Sequence, residues 1–221
     1  MTTAQLEKMK AIEPGGRILL QGVSWSLYEH LLQELGESHL FFTYDRGDLE
    51  IMSPSLRHDR RKTIIARMVE LAAFVLNMDV MGCGSTTCKR PDLEKGLEPN
   101  EWYYIQNYDR MWDKEDLELE KDPPPDLAIE ADITNSSIDR AGIYASLAVP
   151  ELWRWDGKTI RYFALRSGVY SPIQDSIALP GLTAAKLQEF IDMSRTVKEN
   201  EVVHLFADWA KTHVRRWEAQ H

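Results

Sequence analysis

Residues 123–132 read Pro-Pro-Pro-Asp-Leu-Ala-Ile-Glu-Ala-Asp, and this stretch decides the fold. Side chains along a β-strand alternate between two faces, so Leu127 and Ile129 face one way and Glu130 faces the other. The prolines force an extended approach and a helical pattern follows, as is typical of a central strand in an α/β sheet. A solvent-facing edge strand shows the same alternation and remains the alternative. We predict an internal strand over residues 126–132, with Glu130 lining a cleft.

Three carboxylates share the polar face of this strand: Asp126, Glu130 and Asp132. The rise of a strand puts Glu130 and Asp132 roughly 6.7 Å apart, and Asp126 and Glu130 about 13 Å apart. Only neighbouring carboxylates can serve one metal ion, so Asp126 is not expected to join the other two. In an antiparallel pair the start of one strand lies beside the end of the next, so residue 100 is expected near Glu130.

The pattern outward from this strand is that of a mixed α/β fold. The core order is helix 59–77, strands 80–89, 102–105 and 126–132, helix 137–147 and strand 152–155. A helix over 24–35 and a hairpin of strands 40–44 and 49–52 precede it; strands 159–165 and 169–173, a helix capped by Thr183 and a helix over 199–218 follow. We predict an N-terminal helix–hairpin extension at 1–55, a core at 56–175 and C-terminal helices at 176–221, packed as one compact domain.

The composition is that of an ordinary globular protein. The chain has 221 residues, of which 43% are hydrophobic and 28% are charged. No apolar run approaches the roughly 18–20 residues that span a bilayer, and residues 1–10 hold no apolar signal core. Two cysteines without a secretory leader are typical of reduced cytosolic thiols. We therefore expect a cytoplasmic protein without a membrane partner.

The net charge of −9 is concentrated in one region. Residues 92–132 hold 14 acidic and 4 basic side chains, a net of −10, which leaves +1 for the rest of the chain. Basic clusters stand outside that region: Arg57, Arg60, Arg61, Lys62 and Arg67, then Lys211, Arg215 and Arg216. These clusters could contact phosphates or simply form solvated helix faces.

A known family shares a set of short motifs with this chain. They are Pro125–Glu130, then Ser136, Asp139, Tyr144 and Val149–Trp153, with Leu49–Pro54, His58 and Glu98-Pro99 upstream. Together they resemble the Uma-type family of bacterial putative restriction endonucleases, within the PD-(D/E)XK nuclease-like superfamily. The resemblance covers about residues 20–165. It implies a restriction-endonuclease-like core of helix, three strands, helix and strand around a mixed sheet.

The resemblance also implies a metal-dependent phosphodiesterase site. Glu130 would be the principal ligand of Mg²⁺ or Mn²⁺, completed by Asn100 or Glu101 and by Asp132. Two positions depart from the family pattern: Asn100 stands where the family has an aspartate, and Arg140 stands where its helix has a lysine. Arginine keeps the positive charge and can clamp a phosphate, but it does not readily give up a proton. Asp132 occupies the place of the superfamily's in-strand lysine and is expected to be an extra ligand or a partner of Arg140.

The predicted function is thus hydrolysis of nucleic-acid phosphodiester bonds, with DNA as the expected substrate. The alternative is an impaired nuclease fold that acts in nucleic-acid binding or assembly. His58, Arg57 and Arg60 are expected to contact phosphate or nucleic acid. A homodimer is also expected, because the Trp153–Leu165 hairpin and other aromatic residues could offer an apolar surface.

Overall fold

A computed structural model describes residues 12–35, 38–131 and 136–216, with the backbone alone at 56–61. The strands are β1 (Arg17–Leu20), β2 (Phe41–Asp45), β3 (Asp48–Met52), β4 (Met81–Gly82), β5 (Cys88–Arg90), β6 (Lys95–Leu97), β7 (Glu101–Tyr104), β8 (Leu127–Ala131), β9 (Glu151–Trp155), β10 (Ile160–Arg166) and β11 (Val169–Ile173). The helices are α1 (Trp25–Leu35), α2 (Leu56–Val75), α3 (Tyr108–Met111), α4 (Arg140–Ser146), α5 (Ala184–Met193) and α6 (Glu199–His213), with a 3₁₀ turn at Pro91–Leu93.

The central sheet has six strands in the order β11-β10-β9-β8-β7-β4. Strands β8 and β9 are parallel and joined through α4, whereas the other neighbours are antiparallel. The order α2, β4, β7, β8, α4, β9 reproduces the predicted helix, three strands, helix and strand, so the fold class is confirmed. Strand β8 is internal, with Leu127 and Ile129 fully buried. The edge-strand alternative is therefore wrong.

The two faces of the central sheet pack against different helices. Leu127, Ile129 and Trp153 on one face contact apolar side chains of α2, α5 and α6. Ala128 and Leu152 on the other face belong to a separate apolar cluster with residues of α4. Alternation along β8 places Glu130 on the α4 face. The fold therefore sets this carboxylate against the short helix α4.

The N-terminal part of the chain builds a second, antiparallel sheet in the order β1-β3-β2-β6-β5. Strands β2 and β3 form the predicted hairpin around Arg46 and Gly47, whose φ angles of 46° and 100° suit a two-residue turn of the mirror-image type. Thr43 of β2 pairs with Leu97 of β6. The second sheet thus contains strands from before and after residue 55. The boundary at residue 55 between an N-terminal extension and a core stays a prediction.

The strand predicted over residues 80–89 is wrong. Its beginning is the two-residue β4 in the central sheet, and its end is β5 in the second sheet. Between them Gly84 has a φ of 57°, and the Thr86 amide donates to the Cys83 carbonyl at 3.2 Å. This turn redirects the chain from one sheet to the other, and a sequence pattern of alternation does not reveal such a change of partner.

Helix boundaries follow local hydrogen bonds. Thr183 caps α5 as predicted, since its hydroxyl accepts from the Lys186 amide at 3.2 Å. Helix α4 begins at Arg140, three residues later than predicted, because the Ser137 amide donates instead to Glu50 at 2.6 Å. Helix α6 ends at His213, and Val214 is already extended. No helix within the described ranges is long and apolar enough to cross a membrane.

Candidate functional site

Glu130 lies near the end of β8 and is only 3% exposed. Its Oε1 accepts hydrogen bonds from Arg140 Nη2 at 2.5 Å and from the Tyr144 hydroxyl. Both donors come from α4, the helix that connects β8 to β9. A buried carboxylate needs a charged or hydrogen-bonding partner, and α4 supplies both.

Arg140 joins the two sheets at this site. Nη1 donates to the Thr43 hydroxyl on β2, and Nη2 donates to the Glu98 carbonyl at 2.8 Å as well as to Glu130. Burial acts to lower the pKa of Arg140, but the charge of Glu130 and the Tyr144 hydroxyl outweigh it, so the pKa is raised overall. Its Nε is buried and finds no partner among the described residues. Arg140 is therefore a fixed cation whose terminal nitrogens are engaged inside the protein.

Asn100 lies directly across from Glu130. Glu101 pairs with Ile129 in the antiparallel register, which puts Asn100 opposite Glu130 on the α4 face. Asn100 is 2% exposed, and its Oδ1 accepts from the Ala131 amide at 2.6 Å. Both side chains, with Thr43 and Arg140, line a small cavity of about 10 Å³. The structure thus brings Asn100, Glu130 and Arg140 together.

Glu101 is not brought to this site. Adjacent residues of a strand point to opposite faces, so Glu101 lies on the α2 face, where Lys62 Nζ is 3.2 Å from its Oε1. Burial raises the pKa of Glu101, and Lys62 partly offsets that effect. The alternation that made Glu130 a candidate therefore separates Glu101 from it.

The remaining candidates lie outside what the structure describes. Asp132 falls in the undescribed segment 132–135. Arg57, His58 and Arg60 belong to the first turns of α2, where only the backbone is described. Their assigned roles stay predictions.

Asp126 does not join Glu130, as expected from their spacing along the strand, and instead accepts hydrogen bonds from backbone amides. Its Oδ2 accepts from the amides of Ile105 at 2.7 Å and Asn107 at 3.0 Å, and its Oδ1 accepts from Asn107 Nδ2 at 2.6 Å. Asp126 is therefore a structural acid that fixes the chain after β7.

Glu50, the acid of the Leu49–Pro54 motif, anchors the segment that precedes α4. It is 2% exposed and accepts from Arg17 Nη1 at 2.9 Å, Ser136 Oγ at 3.0 Å and the Ser137 amide at 2.6 Å. A carboxylate held by several donors fixes the backbone that presents them. This motif thus positions the start of α4, and with it Arg140.

Glu98 lines a groove that is much larger than the small cavity. Its Oε2 accepts from the Phe42 amide at 2.7 Å and its Oε1 from the Thr87 hydroxyl at 3.1 Å. With Lys62 and Cys83 it lines a groove of about 1030 Å³. Burial raises the pKa of Glu98 to about 7, although both hydrogen bonds and Arg140 act to lower it.

Stability is expected to fall as the pH rises toward 7, because folded Glu98 holds a proton that the unfolded chain has already released. The window lies between the ordinary pKa of 4.5 and the folded value of about 7. The slope from this one group is at most about 1.4 kcal/mol per pH unit. Glutamine cannot ionise, so the free energy of unfolding of Glu98→Gln, measured with urea, should depend less steeply on pH than that of the wild type across this range. The exposed control Glu34→Gln should keep the wild-type slope; a Glu98→Gln slope equal to wild type would contradict the assignment.

The sequence analysis assigned no role in the site to several residues that reach it. Thr43 and Glu50 reach the site only because the two sheets dock, and no local pattern indicates that docking. Tyr144, which belongs to a family motif, donates to Glu130. Arg154 lies between Trp153 and Trp155, and this alternation did contain a signal, since two buried tryptophans force the arginine to the α4 face.

The described residues do not by themselves fit a divalent cation. No three His, Cys, Asp or Glu side chains come together as a metal-binding group within the described ranges. On the α4 face Glu130 Oε1 is engaged by Arg140 and Tyr144, and Asn100 Oδ1 by the Ala131 amide. Hard cations prefer several oxygen ligands, anionic ones above all. Glu130 and Asn100 offer only one anion between them.

Comparison with known proteins places the chain in a family. A search of curated proteins finds no match. Among solved structures, it is similar to the crystal structure of a "putative nuclease belonging to DUF820" from Anabaena variabilis ATCC 29413, with 14% identity and a TM-score of 0.43. That likeness covers 68% of this chain and 90% of the other. The model of the Uma2 family, described as "putative restriction endonuclease", matches residues 25–198. Because this match spans well over half of the sequence, the chain belongs to the Uma2 family.

Proposed function

We propose that this protein is a nuclease that hydrolyses phosphodiester bonds of nucleic acid, with DNA as its substrate. One observation carries the proposal. Glu130, Arg140 and Asn100 converge at the end of β8, at the positions that the family pattern gives to an acid, a basic group and a second acid. The family description supports the same class of reaction.

The protein's own groups prepare this site in two ways. Arg140 and Tyr144 hold the Glu130 carboxylate in one orientation against β8. The raised pKa of Arg140 keeps a positive charge beside Glu130, so Arg140 does not act as a proton-accepting base. Dependence on Mg²⁺ or Mn²⁺, implied by the family resemblance, stays a prediction.

A second candidate is a nuclease fold that binds nucleic acid without cleaving it. The engagement of Glu130 Oε1 and Asn100 Oδ1 inside the protein favours it, because a catalytic ligand set needs oxygens directed at its ion. The two candidates make opposite predictions for a cleavage assay.

Glu130→Gln is expected to abolish divalent-dependent cleavage, because glutamine keeps the shape and the acceptor oxygen but removes the charge. Cleavage of labelled duplex and single-stranded DNA would be measured with Mg²⁺, Mn²⁺ or EDTA. Glu120→Gln, at an exposed position in the acidic region, serves as the matched control. Thermal unfolding shows whether each variant is folded at the assay temperature. A wild type that binds DNA but never cleaves it supports the second candidate.

Cytoplasmic location and a homodimer also stay proposals. The apolar surface expected at the Trp153–Leu165 hairpin is not free: Trp153 and Trp155 are buried and belong to the cluster that α5 and α6 cover. These two tryptophans therefore do not supply the apolar surface of the proposed dimer.

A further inference from the structure

We propose that Arg154 binds a backbone phosphate of a nucleic-acid strand that lies in the trench between α4 and the central sheet. The inference deepens the proposed function and rests on it. It assigns the phosphate contact expected of Arg140 to another residue. The terminal nitrogens of Arg140 already bind Thr43, Glu98 and Glu130, so a phosphate near Glu130 needs a different cation.

Arg154 stands next to Glu130 on the same face of the sheet. The parallel register pairs Glu130 with Arg154, and the antiparallel register pairs Arg154 with Arg161. Asn100, just before β7, thus forms one row with Glu130 of β8, Arg154 of β9 and Arg161 of β10. Neighbouring strands are about 4.8 Å apart, so Arg154 is one strand away from the carboxylate and Arg161 is about 10 Å away.

No described side chain compensates the charge of Arg154. Arg161 donates to Asp156 Oδ2 at 2.7 Å, whereas the side chain of Arg154 makes no hydrogen bond or ion pair within the described part of the chain. Like charges directly opposite each other on adjacent strands are destabilising. Because only Arg161 of this pair has an acidic partner among the described residues, binding of an anion at Arg154 would relieve the repulsion between the two arginines.

The space beside Arg154 suits one strand of nucleic acid. A cavity of about 270 Å³ extends from Glu130 to Arg154, and a second of about 340 Å³ extends from Arg154 to Phe163 and Tyr170. Arg154 and Leu152 line both cavities, so they form one trench along α4. With roughly 30 Å³ per water, each cavity holds about ten waters, which is room for the backbone of a nucleotide.

Other groups in the trench act for and against an anion. Asp139 lines both cavities and is an exposed acid at the rim, which opposes anion binding. Glu130 is neutralised by Arg140. Ser137 adds a hydroxyl group, and the partly buried Phe163 offers a ring on which a base can stack. A nucleic-acid strand with a phosphate at Arg154 and a base stacked on Phe163 fits this order of groups along the trench.

The test measures binding of a labelled single-stranded oligonucleotide in EDTA over a range of salt concentrations. Arg154→Ala should weaken binding about ten-fold or more, because a charge-assisted hydrogen bond is lost. The slope of log K against log salt should fall by about 0.7, the value for one phosphate contact on a single strand. Arg154→Lys should recover part of the affinity. Arg166→Ala, on β10 of the same sheet but on the opposite face from Arg161, should bind like wild type.

A thermal unfolding curve separates this role from a structural one. Arg154→Ala removes a cross-strand repulsion and should unfold at the same or a higher temperature, whereas loss of a structural arginine lowers it. Wild-type affinity and salt slope in Arg154→Ala would overturn the inference, and so would a wild-type protein that does not bind the oligonucleotide. Binding that depends on Arg154 without any cleavage in divalent ions would keep the inference and remove the nuclease proposal.

Discussion

Arg140→Met is expected to lower the free energy of unfolding by about 3–5 kcal/mol, because it leaves a buried carboxylate without its cation. Glu130 is 3% exposed, and the Arg140 side chain is 11% exposed. The same substitution also removes the donors that reach Thr43 and the Glu98 carbonyl. Methionine keeps most of the apolar stem, so the loss reports the charge and hydrogen bonds. Urea unfolding followed by tryptophan fluorescence gives the value.

Two further variants make this result specific. Arg46 pairs with Asp45 at 2.8 Å but is 67% exposed, so Arg46→Met should cost no more than about 1 kcal/mol. The double variant Glu130→Gln with Arg140→Met should lose less free energy of unfolding than the two single variants lose together, since neither charge is left without its partner. If Arg140→Met lowered the free energy of unfolding no more than Arg46→Met does, the buried Glu130 carboxylate would not need Arg140 for its stability.

Asn100→Asp is expected to raise divalent-dependent cleavage by about ten-fold or more, a change of about 1.4 kcal/mol in transition-state stabilisation. It places a second anion opposite Glu130, and metal affinity rises with ligand charge. The Ala131 amide, 2.6 Å from Asn100 Oδ1, can donate equally well to an aspartate. Single-turnover cleavage and calorimetric titration with Mn²⁺ are the two measurements.

The control for this gain is Asn77→Asp, which adds the same charge at an exposed position after α2. It should leave both cleavage and Mn²⁺ binding at the wild-type level. If Asn100→Asp increases neither cleavage nor Mn²⁺ binding, an anion at residue 100 is not what the site lacks. A nuclease fold that binds nucleic acid without cleaving it is then the better description.

Local patterns predicted the central strand well and its surroundings less well. The alternation in 126–132 determined which side of β8 is apolar, and the proline brace indicated that it is internal; both follow from residues close in sequence. The antiparallel register then placed residue 100 beside Glu130. The interruption of the strand predicted over residues 80–89 could not be predicted in this way, because β4 and β5 pair with strands of different sheets.

The site was predicted in part for the same reason. Arg140 follows Glu130 by ten residues, within one strand–helix unit, so a family pattern can place both. Thr43 and Glu50 come from the second sheet, and their approach to α4 depends on how two sheets dock. Whether an arginine beside a glutamate is free for substrate or engaged inside the protein is a question of three-dimensional contacts, which sequence spacing does not answer.

The hydrogen bond between Asn100 and the Ala131 amide has an evolutionary consequence. The side-chain oxygen serves as an acceptor at the end of the β7–β8 ladder, where asparagine and aspartate are interchangeable to the backbone. The codons of these two amino acids differ by a single base. A lineage can therefore exchange the neutral and the charged residue in one mutational step without refolding the sheet.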